Sequence, residues 1–295
     1  MALRYWLIII GLGMGWGMSF TFNAVLLREL DPLSITAGRV GLGALGCWIY
    51  LVARGVNWRV PAQRAASLMA FGVLSYALPF TCYAVGQQDV ASGVAGIINA
   101  MTPALTVVVA HLWPGGERAT WLKSAGVLTG LVGIVVLSVP MLLDGGASAG
   151  WAILITLGAP LCYAFSVNLA RSFADVDRVA MVSWALLGAA LVQVPLAFLV
   201  EGAPQSLSPA AWGALAVIGF GLTSAAFIVF YWVLPRVGPT NITLPTMIAP
   251  ASALFFGSYL LGEPLSISHG VGLFAILFGL LMIDGRLFRK PATSS

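Results

Sequence analysis

The sequence predicts an all-α integral membrane protein with ten transmembrane helices, arranged as two inverted repeats of five helices each. Its 295 residues are 60% hydrophobic and 8% charged, whereas a soluble domain carries about 25% charged residues. Apolar stretches long enough to cross a bilayer follow one another along nearly the whole chain. Short motifs also occur twice: Gly126 and Gly133 recur as Gly272 and Gly279, an offset of 146 residues.

Ten segments satisfy the rule that a bilayer crossing needs roughly 20 apolar residues. They are 4–26, 33–53, 65–86, 91–113, 121–141, 149–170, 179–200, 210–233, 240–261 and 265–284. Arg4 followed by an apolar run resembles a signal peptide, but no small-residue cleavage pattern follows, so we expect a retained first span. The connections between spans are short, which leaves little room for an activity outside the membrane.

The duplicated motifs define two repeats, which we place at residues 1–143 and 148–287, followed by a tail at 288–295. The pair Gly116-Glu117 recurs as Gly262-Glu263, and Pro103 recurs as Pro250. Because each repeat holds five spans, the second must enter the membrane from the opposite side. Inverted repeats of this kind are typical of secondary transporters, whose substrate site lies near the bilayer midplane.

The basic residues predict the orientation, because Lys and Arg are enriched in cytoplasmic segments. With the N-terminus inside, twelve of the fourteen fall on the cytoplasmic side, and only Arg28 and Arg39 do not. The twelve are Arg4, Arg54, Arg59, Arg64, Arg118, Lys123, Arg171, Arg178, Arg236, Arg286, Arg289 and Lys290. We therefore expect a multi-pass protein of the bacterial inner (plasma) membrane with both termini in the cytoplasm.

The order of these motifs resembles two EamA domains of the drug/metabolite transporter superfamily. The marks are the segment PLSITAGR at 32–39, the small residues that lead to Pro103, and Gly116-Glu117 followed by Gly126 and Gly133. In the second half, Gly262-Glu263, Gly272 and Gly279 repeat the last of these. The resemblance covers nearly the whole chain. With its aromatic-rich interior, the chain is most similar to the bacterial aromatic amino-acid exporters. This implies a transporter for aromatic or hydrophobic amino acids, with other small metabolites or neutral drugs as alternatives.

One departure from the superfamily concerns energy coupling. The small multidrug exporters of this superfamily carry a glutamate within the first span, whereas no span here has an acid near its middle. Because proton relays through the bilayer normally use such residues, we expect transport without a proton gradient. We also expect little change in transport after Glu117→Gln or Glu263→Gln.

Polar and aromatic residues within the spans are the candidates for substrate contact. The first span places Trp16, Ser19, Phe20 and Asn23 on one helical face. The full prediction comprises Trp16, Ser19, Asn23, Tyr76, Phe80, Asn99, Thr102, Tyr163, Ser166, Phe227, Thr246 and Met247. The alternative for each is packing or hydrogen bonding between helices. Tyr83 and Tyr231 lie near span ends, where tyrosines often form an interfacial belt.

Three further residues are candidates for hinges or gates. Pro103 and Pro250 each release the carbonyl four residues earlier and bend the helix, as a hinge or as a static kink. Arg39 lies well inside the second span. Its side chain could snorkel to the surface, capture a carboxylate, or pair with Asp31 or Asp89. Of the possible roles we favour a structural or gating one.

Other functional classes find less support. The chain has no GxxxxGK[ST] loop and no HExxH motif, so a membrane enzyme is disfavoured, and a receptor or scaffold leaves the repeat unexplained. No cofactor or metal is expected. A nucleic-acid partner is not expected either, since the net charge of +4 is small and scattered. The expected partners are the lipid bilayer and a small-molecule substrate. We expect a monomer and leave an oligomer open.

The orientation can be checked by labelling single cysteines after removal of Cys47, Cys82 and Cys162. Cysteines at positions 145 and 203 should react with a membrane-impermeant reagent added outside, and those at positions 57 and 292 only after access from the cytoplasm. Labelling of position 292 from outside would contradict ten spans with five in each repeat.

Overall fold

The computed structural model describes residues 2–203, 206–238, 242 and 244–284, with the backbone alone for 141–142 and 144–149. Ten helical segments in this part of the chain are long and apolar enough to cross a membrane. All its regular elements are helices. The prediction of an all-α protein with ten spans is therefore confirmed, while the inverted relation of the repeats stays a prediction. The tail at 288–295 lies outside the described residues.

The bounds of the helices agree with the predicted spans to within a few residues at most ends. The α-helices are α1 (Leu3–Leu26), α2 (Pro32–Ala53), α3 (Ala62–Gly72), α4 (Leu78–Gly86), α5 (Ser92–Asn99), α6 (Thr102–Leu112), α7 (Trp121–Leu169), α8 (Arg178–Val200), α9 (Pro209–Ala216), α10 (Ala226–Val237), α11 (Leu244–Leu261) and α12 (Ile267–Asp284). Two π-helical segments, Val73–Ala77 and Val217–Ala225, join α3 to α4 and α9 to α10. A 3₁₀ turn, Ala170–Phe173, follows α7.

Counted as membrane crossings, these helices give ten spans, numbered here along the chain. Spans 1 and 2 are α1 and α2, span 3 joins α3 to α4, and span 4 consists of α5 and α6. Spans 5 and 6 lie within α7, and span 7 is α8. Span 8 joins α9 to α10, and spans 9 and 10 are α11 and α12.

Helix α7 holds two crossings rather than one. Its 49 residues would measure about 74 Å if straight, more than twice the roughly 30 Å hydrocarbon core of a bilayer. Span 5 (Trp121–Pro140) and span 6 (Gly150–Phe173) pack on different partners. Span 5 lies antiparallel to α12, and span 6 lies antiparallel to span 3.

The helices begin and end at residues suited to those positions. Pro32 and Pro209 stand in the first turn of α2 and α9, where a missing N–H is harmless. The carboxylate of Asp177 accepts hydrogen bonds from the N–H groups of Val179 and Ala180 at the start of α8, at 2.8 and 3.1 Å. Gly262 follows α11 with a φ of +69°, a conformation that favours glycine.

Spans 5 and 10 pack against each other through the glycines that recur in the two repeats. A Cβ atom added to Gly126 would lie 2.5 Å from the carbonyl oxygen of Gly279, and one added to Gly133 would lie 2.8 Å from that of Gly272. Because lipid tails are as apolar as the side chains, helices associate in a membrane mainly through such close packing and hydrogen bonds. The repeated glycines are therefore a contact between the two halves of the chain.

This packing predicts opposite effects for two alanine substitutions in α12. Gly279→Ala would place Cβ 2.4 Å from the carbonyl oxygen of Gly126, whereas Gly270→Ala meets nothing within 4 Å. Overpacking costs about 1–3 kcal/mol, which outweighs the roughly 1 kcal/mol gain in helix propensity. We expect Gly279→Ala to lower the thermal stability of the purified protein and Gly270→Ala to leave it unchanged or higher. Equal melting temperatures would contradict this close contact.

Candidate functional site

A cluster of aromatic rings from both halves of the chain lies in the interior. The ring of Trp16 on span 1 lies 5.8 Å from that of Phe227 and 5.5 Å from that of Phe230, both on span 8. Tyr76 on span 3 lies 5.3 Å from Phe227 and 6.0 Å from Phe80. Four of the predicted contact residues, on three different spans, are thus neighbours.

A second group of rings meets around Tyr83, also on span 3. Its ring lies 5.0 Å from that of Phe20 and 6.4 Å from that of Tyr163 on span 6. Its hydroxyl donates a 2.6 Å hydrogen bond to Oδ1 of Asn99 on span 4. Tyr83 is 2% exposed, so the interpretation of this residue as part of an interfacial belt is wrong. Position near a span end did not reveal that its side chain turns inward.

Arg39 is buried beside the first ring cluster. It is 6% exposed, so it does not snorkel to the surface. Its guanidinium carbon lies 3.7 Å from the centroid of the Phe80 ring, and Nε donates a 3.2 Å hydrogen bond to Oγ1 of Thr223. Within the described residues the salt bridges are Arg64–Asp175 and Lys123–Glu117. The considered pairing of Arg39 with Asp31 or Asp89 is therefore not formed.

The two π-helical segments lie in spans 3 and 8 and are close to the first ring cluster, since Tyr76 lies in one and Phe227 follows the other by two residues. π-Helical turns are rare and are frequent at functional sites. The first contains Tyr76 and Ser75, whose hydroxyl donates to Oγ of Ser166 at 2.9 Å. The second contains Thr223, whose hydroxyl donates to the carbonyl of Ile218 at 2.8 Å, and Ser224, which donates to the carbonyl of Gly43 at 2.7 Å. Hydropathy and residue spacing gave no signal for these segments.

Span 4 is interrupted at Pro103, the candidate hinge of the first half. Helix α5 ends at Asn99 and α6 begins at Thr102, with Pro103 in the first turn of α6. The carbonyl of Asn99, which Pro103 leaves without a helical N–H, accepts a 2.7 Å hydrogen bond from the hydroxyl of Thr102 instead. The hydroxyl of Thr102 thus satisfies the backbone at the break, while the side chain of Asn99 bonds to Tyr83.

Span 9 differs from span 4, because α11 continues through Pro250. Of the two matched prolines, only Pro103 therefore stands at a break between helices. Thr102 provides a hydroxyl next to Pro103, whereas Ala249 stands next to Pro250 and has none. Met247 packs against the hydrophobic cluster that contains Phe20 and Tyr83. Thr246 stands one turn before Pro250 and is half-buried.

Several other predicted contact residues bond to neighbouring protein groups. Ser19 donates to the carbonyl of Trp16 at 2.7 Å, and Ser166 donates to that of Cys162 at 2.8 Å. Nδ2 of Asn23 donates to Oε1 of Gln87 at 3.2 Å, and Nε2 of Gln87 donates to the carbonyl of Phe20 at 2.9 Å. The bonds of Asn23 and Gln87 match the interhelical hydrogen bonding considered as the alternative for such residues, whereas the two serine bonds lie within one helix.

On the predicted outer side, three carboxylates each cap the start of a helix in the other half. Glu263 accepts from the N–H groups of Ser92 and Gly93 at 2.8 and 3.0 Å. The other two form equivalent contacts: Glu201 with Leu33 and Ser34, and Glu29 with Ser208. Negative charge is favourable at a helix start because the first N–H groups lack helical partners. The sequence pattern did not predict these contacts.

The acidic groups outside the spans show the expected electrostatics. Hydrogen bonds from the hydroxyl and N–H of Ser208 lower the pKa of Glu29, so this cap is present at neutral pH and is lost as the pH falls through the lowered pKa. On the predicted cytoplasmic side, Arg64 lowers the pKa of Asp175 and Lys123 lowers that of Glu117. Both of these ion pairs include exposed side chains.

Ten apolar helices around a buried set of rings, amides and one guanidinium define a multi-pass membrane protein with a chemically mixed interior. The EamA-like transporter family matches residues 3–139 and 150–284. The chain therefore belongs to the EamA-like transporter family, within the drug/metabolite transporter superfamily. The two matched stretches correspond to the two halves identified by the repeated motifs.

Similar proteins agree with this assignment. The chain is 24% identical over 277 residues to the "Uncharacterized transporter YoaV" of Bacillus subtilis (strain 168), covering 93% of this chain and 94% of that protein. It is 25% identical over 283 residues to the "Uncharacterized inner membrane transporter YedA" of Escherichia coli (strain K12), covering 94% and 89%. A solved crystal structure has a TM-score of 0.71 at 20% identity, covering 97% of this chain and 99% of that one. The structural likeness supports the fold alone.

The capping contacts predict different effects of the two repeated glutamates on stability, while the expected small effect on transport stays a prediction. Glu263 bonds two N–H groups of α5, whereas Glu117 forms an exposed ion pair with Lys123. Loss of a charged partner leaves a donor unsatisfied and costs about 1–3 kcal/mol, while exposed ion pairs contribute about 0–1 kcal/mol. We expect Glu263→Gln to lower the melting temperature of the purified protein and Glu117→Gln, the matched control, to change it little. Equal effects of the two substitutions would show that the cap is energetically unimportant.

Proposed function

We propose that this protein carries amino acids with aromatic or hydrophobic side chains across the bacterial inner membrane by alternating access. The observation that carries this proposal is the meeting of rings from spans 1, 3, 6 and 8 around the middle of the bundle. Such rings offer apolar surface to a substrate side chain. The amide of Asn99 and the hydroxyl of Thr102 offer polar contacts for its backbone groups.

Alternating access requires that one side of the site be closed while the other opens. On the predicted outer side, spans 4 and 9 approach closely: a Cβ atom on Gly96 would lie 2.3 Å from that of Ala253, and one on Gly257 would lie 2.6 Å from Oγ of Ser92. The cap of Glu263 on α5 lies at the same place. These contacts support a state closed to the outside, in which exchange would occur with the cytoplasm.

Movement of spans 4 and 9 would then open the outer side. Pro103 follows the break between α5 and α6, and Pro250 lies within α11. Both prolines weaken the local helical hydrogen bonding, and we propose that they are hinges. Transport would run down the substrate gradient, since the spans contain no carboxylate near their middle for a proton relay.

Counterflow in proteoliposomes tests the function directly. Vesicles loaded with unlabelled phenylalanine should accumulate labelled phenylalanine transiently, with and without a pH gradient, and vesicles without protein should not. Alanine, a sugar and a neutral drug serve as competitors that separate the proposed substrate class from the alternatives. If the sugar or the drug, and not the amino acids, inhibited or supported counterflow, the proposed substrate class would be wrong. Strict dependence on a pH gradient would overturn the proposed downhill mechanism.

The ring cluster predicts a substrate-dependent effect of truncating its aromatic residues. Trp16→Ala, Tyr76→Ala and Tyr163→Ala should each weaken transport of phenylalanine several-fold more than transport of alanine, because aromatic contacts contribute about 0.5–1.5 kcal/mol beyond burial. Trp151→Ala and Tyr259→Ala are matched controls, since their side chains lie on the exposed surface of the bundle. Equal losses for phenylalanine and alanine, with normal folding, would assign these rings to packing.

A further inference from the structure

Among the described residues, no acidic side chain interacts with Arg39. The ionisable groups that interact electrostatically with its guanidinium are Tyr163 and Tyr83, whose phenols are neutral at pH 7. Neither salt bridge in the described part of the chain includes Arg39. A buried cation without a partner is costly in a protein interior and within a bilayer. The Phe80 ring and the Thr223 hydroxyl offset part of this cost.

The guanidinium also retains most of its hydrogen-bonding capacity. It carries five N–H donors, and within the described residues Nε alone donates, to Oγ1 of Thr223. The two Nη atoms have no hydrogen-bond acceptor among the described residues. Neither of them is fully enclosed by the protein. Each Nη atom therefore keeps some accessible surface, and their four N–H groups lie in the planar arrangement that matches a carboxylate.

The surroundings of Arg39 define what such a group would be attached to. Phe80 lies against the guanidinium, and Tyr76 contacts Phe80 at 6.0 Å and Phe227 at 5.3 Å. An anion held by the Nη atoms would therefore lie at the edge of the ring cluster. None of the described residues that pair or interact electrostatically with Arg39 is an acid that could bind an ammonium group.

We propose that Arg39 binds the carboxylate of the substrate, so that the cargo must carry a carboxylate beside an apolar or aromatic body while its ammonium group is dispensable. This inference rests on the proposed transport function and narrows it. Aromatic carboxylates without an amino group should bind about as well as the corresponding amino acids. Aromatic amines without a carboxylate should bind poorly, because their positive charge would meet the guanidinium.

Three compounds with the same ring separate the two charged groups. Binding of phenylalanine, 3-phenylpropionate and phenethylamine to the purified wild-type protein would be measured by ligand-induced thermal stabilisation. We expect 3-phenylpropionate to bind within a few-fold of phenylalanine and phenethylamine at least ten-fold more weakly. Phenethylamine binding as well as 3-phenylpropionate, or no binding by either carboxylate, would overturn the proposal without any variant being needed.

Substitutions then assign the carboxylate preference to Arg39. Arg39→Gln should remove the preference for 3-phenylpropionate over phenethylamine, and Arg39→Lys, which keeps the charge without the planar donors, should retain part of it. Arg28→Gln is the control, because Arg28 is an exposed arginine of the first outer loop. An unchanged preference in a folded Arg39→Gln protein would overturn the assignment. Should Arg39→Gln fail to fold, an unchanged preference in Arg39→Lys would do the same.

The outcomes for this inference and for the proposed function are separate. Failure of the function would appear as absence of amino-acid counterflow in proteoliposomes, whatever binds to the purified protein. Failure of the Arg39 assignment would appear as an unchanged ratio of carboxylate to amine binding, even while phenylalanine counterflow continues.

Discussion

Backbone hydrogen bonding in lipid is the constraint on which this structure depends. Within a bilayer each N–H and C=O group must find a partner inside the protein, so the described chain crosses as helices. Departures from regular α-helix occur in spans 3, 4 and 8, next to the ring clusters. At two of them hydroxyl groups bond to the displaced carbonyls: Thr102 to that of Asn99, and Thr223 to that of Ile218. In spans 4 and 8, irregular backbone thus lies where side chains of the same span satisfy it.

The same principle explains how much of the fold the sequence could predict. Hydropathy measures the free energy of transferring a side chain into lipid, and that quantity located all ten spans. The spacing of Gly126, Gly133, Gly272 and Gly279 marked the helices that lie against each other. By contrast, a π-helical turn inserts one residue into a helix without changing its hydropathy, so Val73–Ala77 and Val217–Ala225 left no signal.

The candidate site was predictable in its rings and less so in its polar partners. Trp16, Tyr76, Phe80 and Phe227 are neighbours, as residues on inward-facing stripes are expected to be. For an amide such as Asn23, however, the spacing of residues along the helix shows which face it lies on and does not show its hydrogen-bond partner. Gln87 holds Asn23 from a position next to the end of span 3, where sequence spacing gives no reason to pair them.

The two halves of the chain use one shared dipeptide differently. The pair Gly116-Glu117 places its glutamate in an exposed ion pair, whereas Gly262-Glu263 places its glutamate on the start of α5 in the other half. Identical dipeptides therefore have different energetic roles, because the partner is supplied by the fold and not by the motif. The inter-half carboxylate contacts described above, those of Glu29, Glu201 and Glu263, are on the predicted outer side. Opening that side would exchange these bonds for bonds to water, a change that is easiest for Glu29, the exposed one of the three.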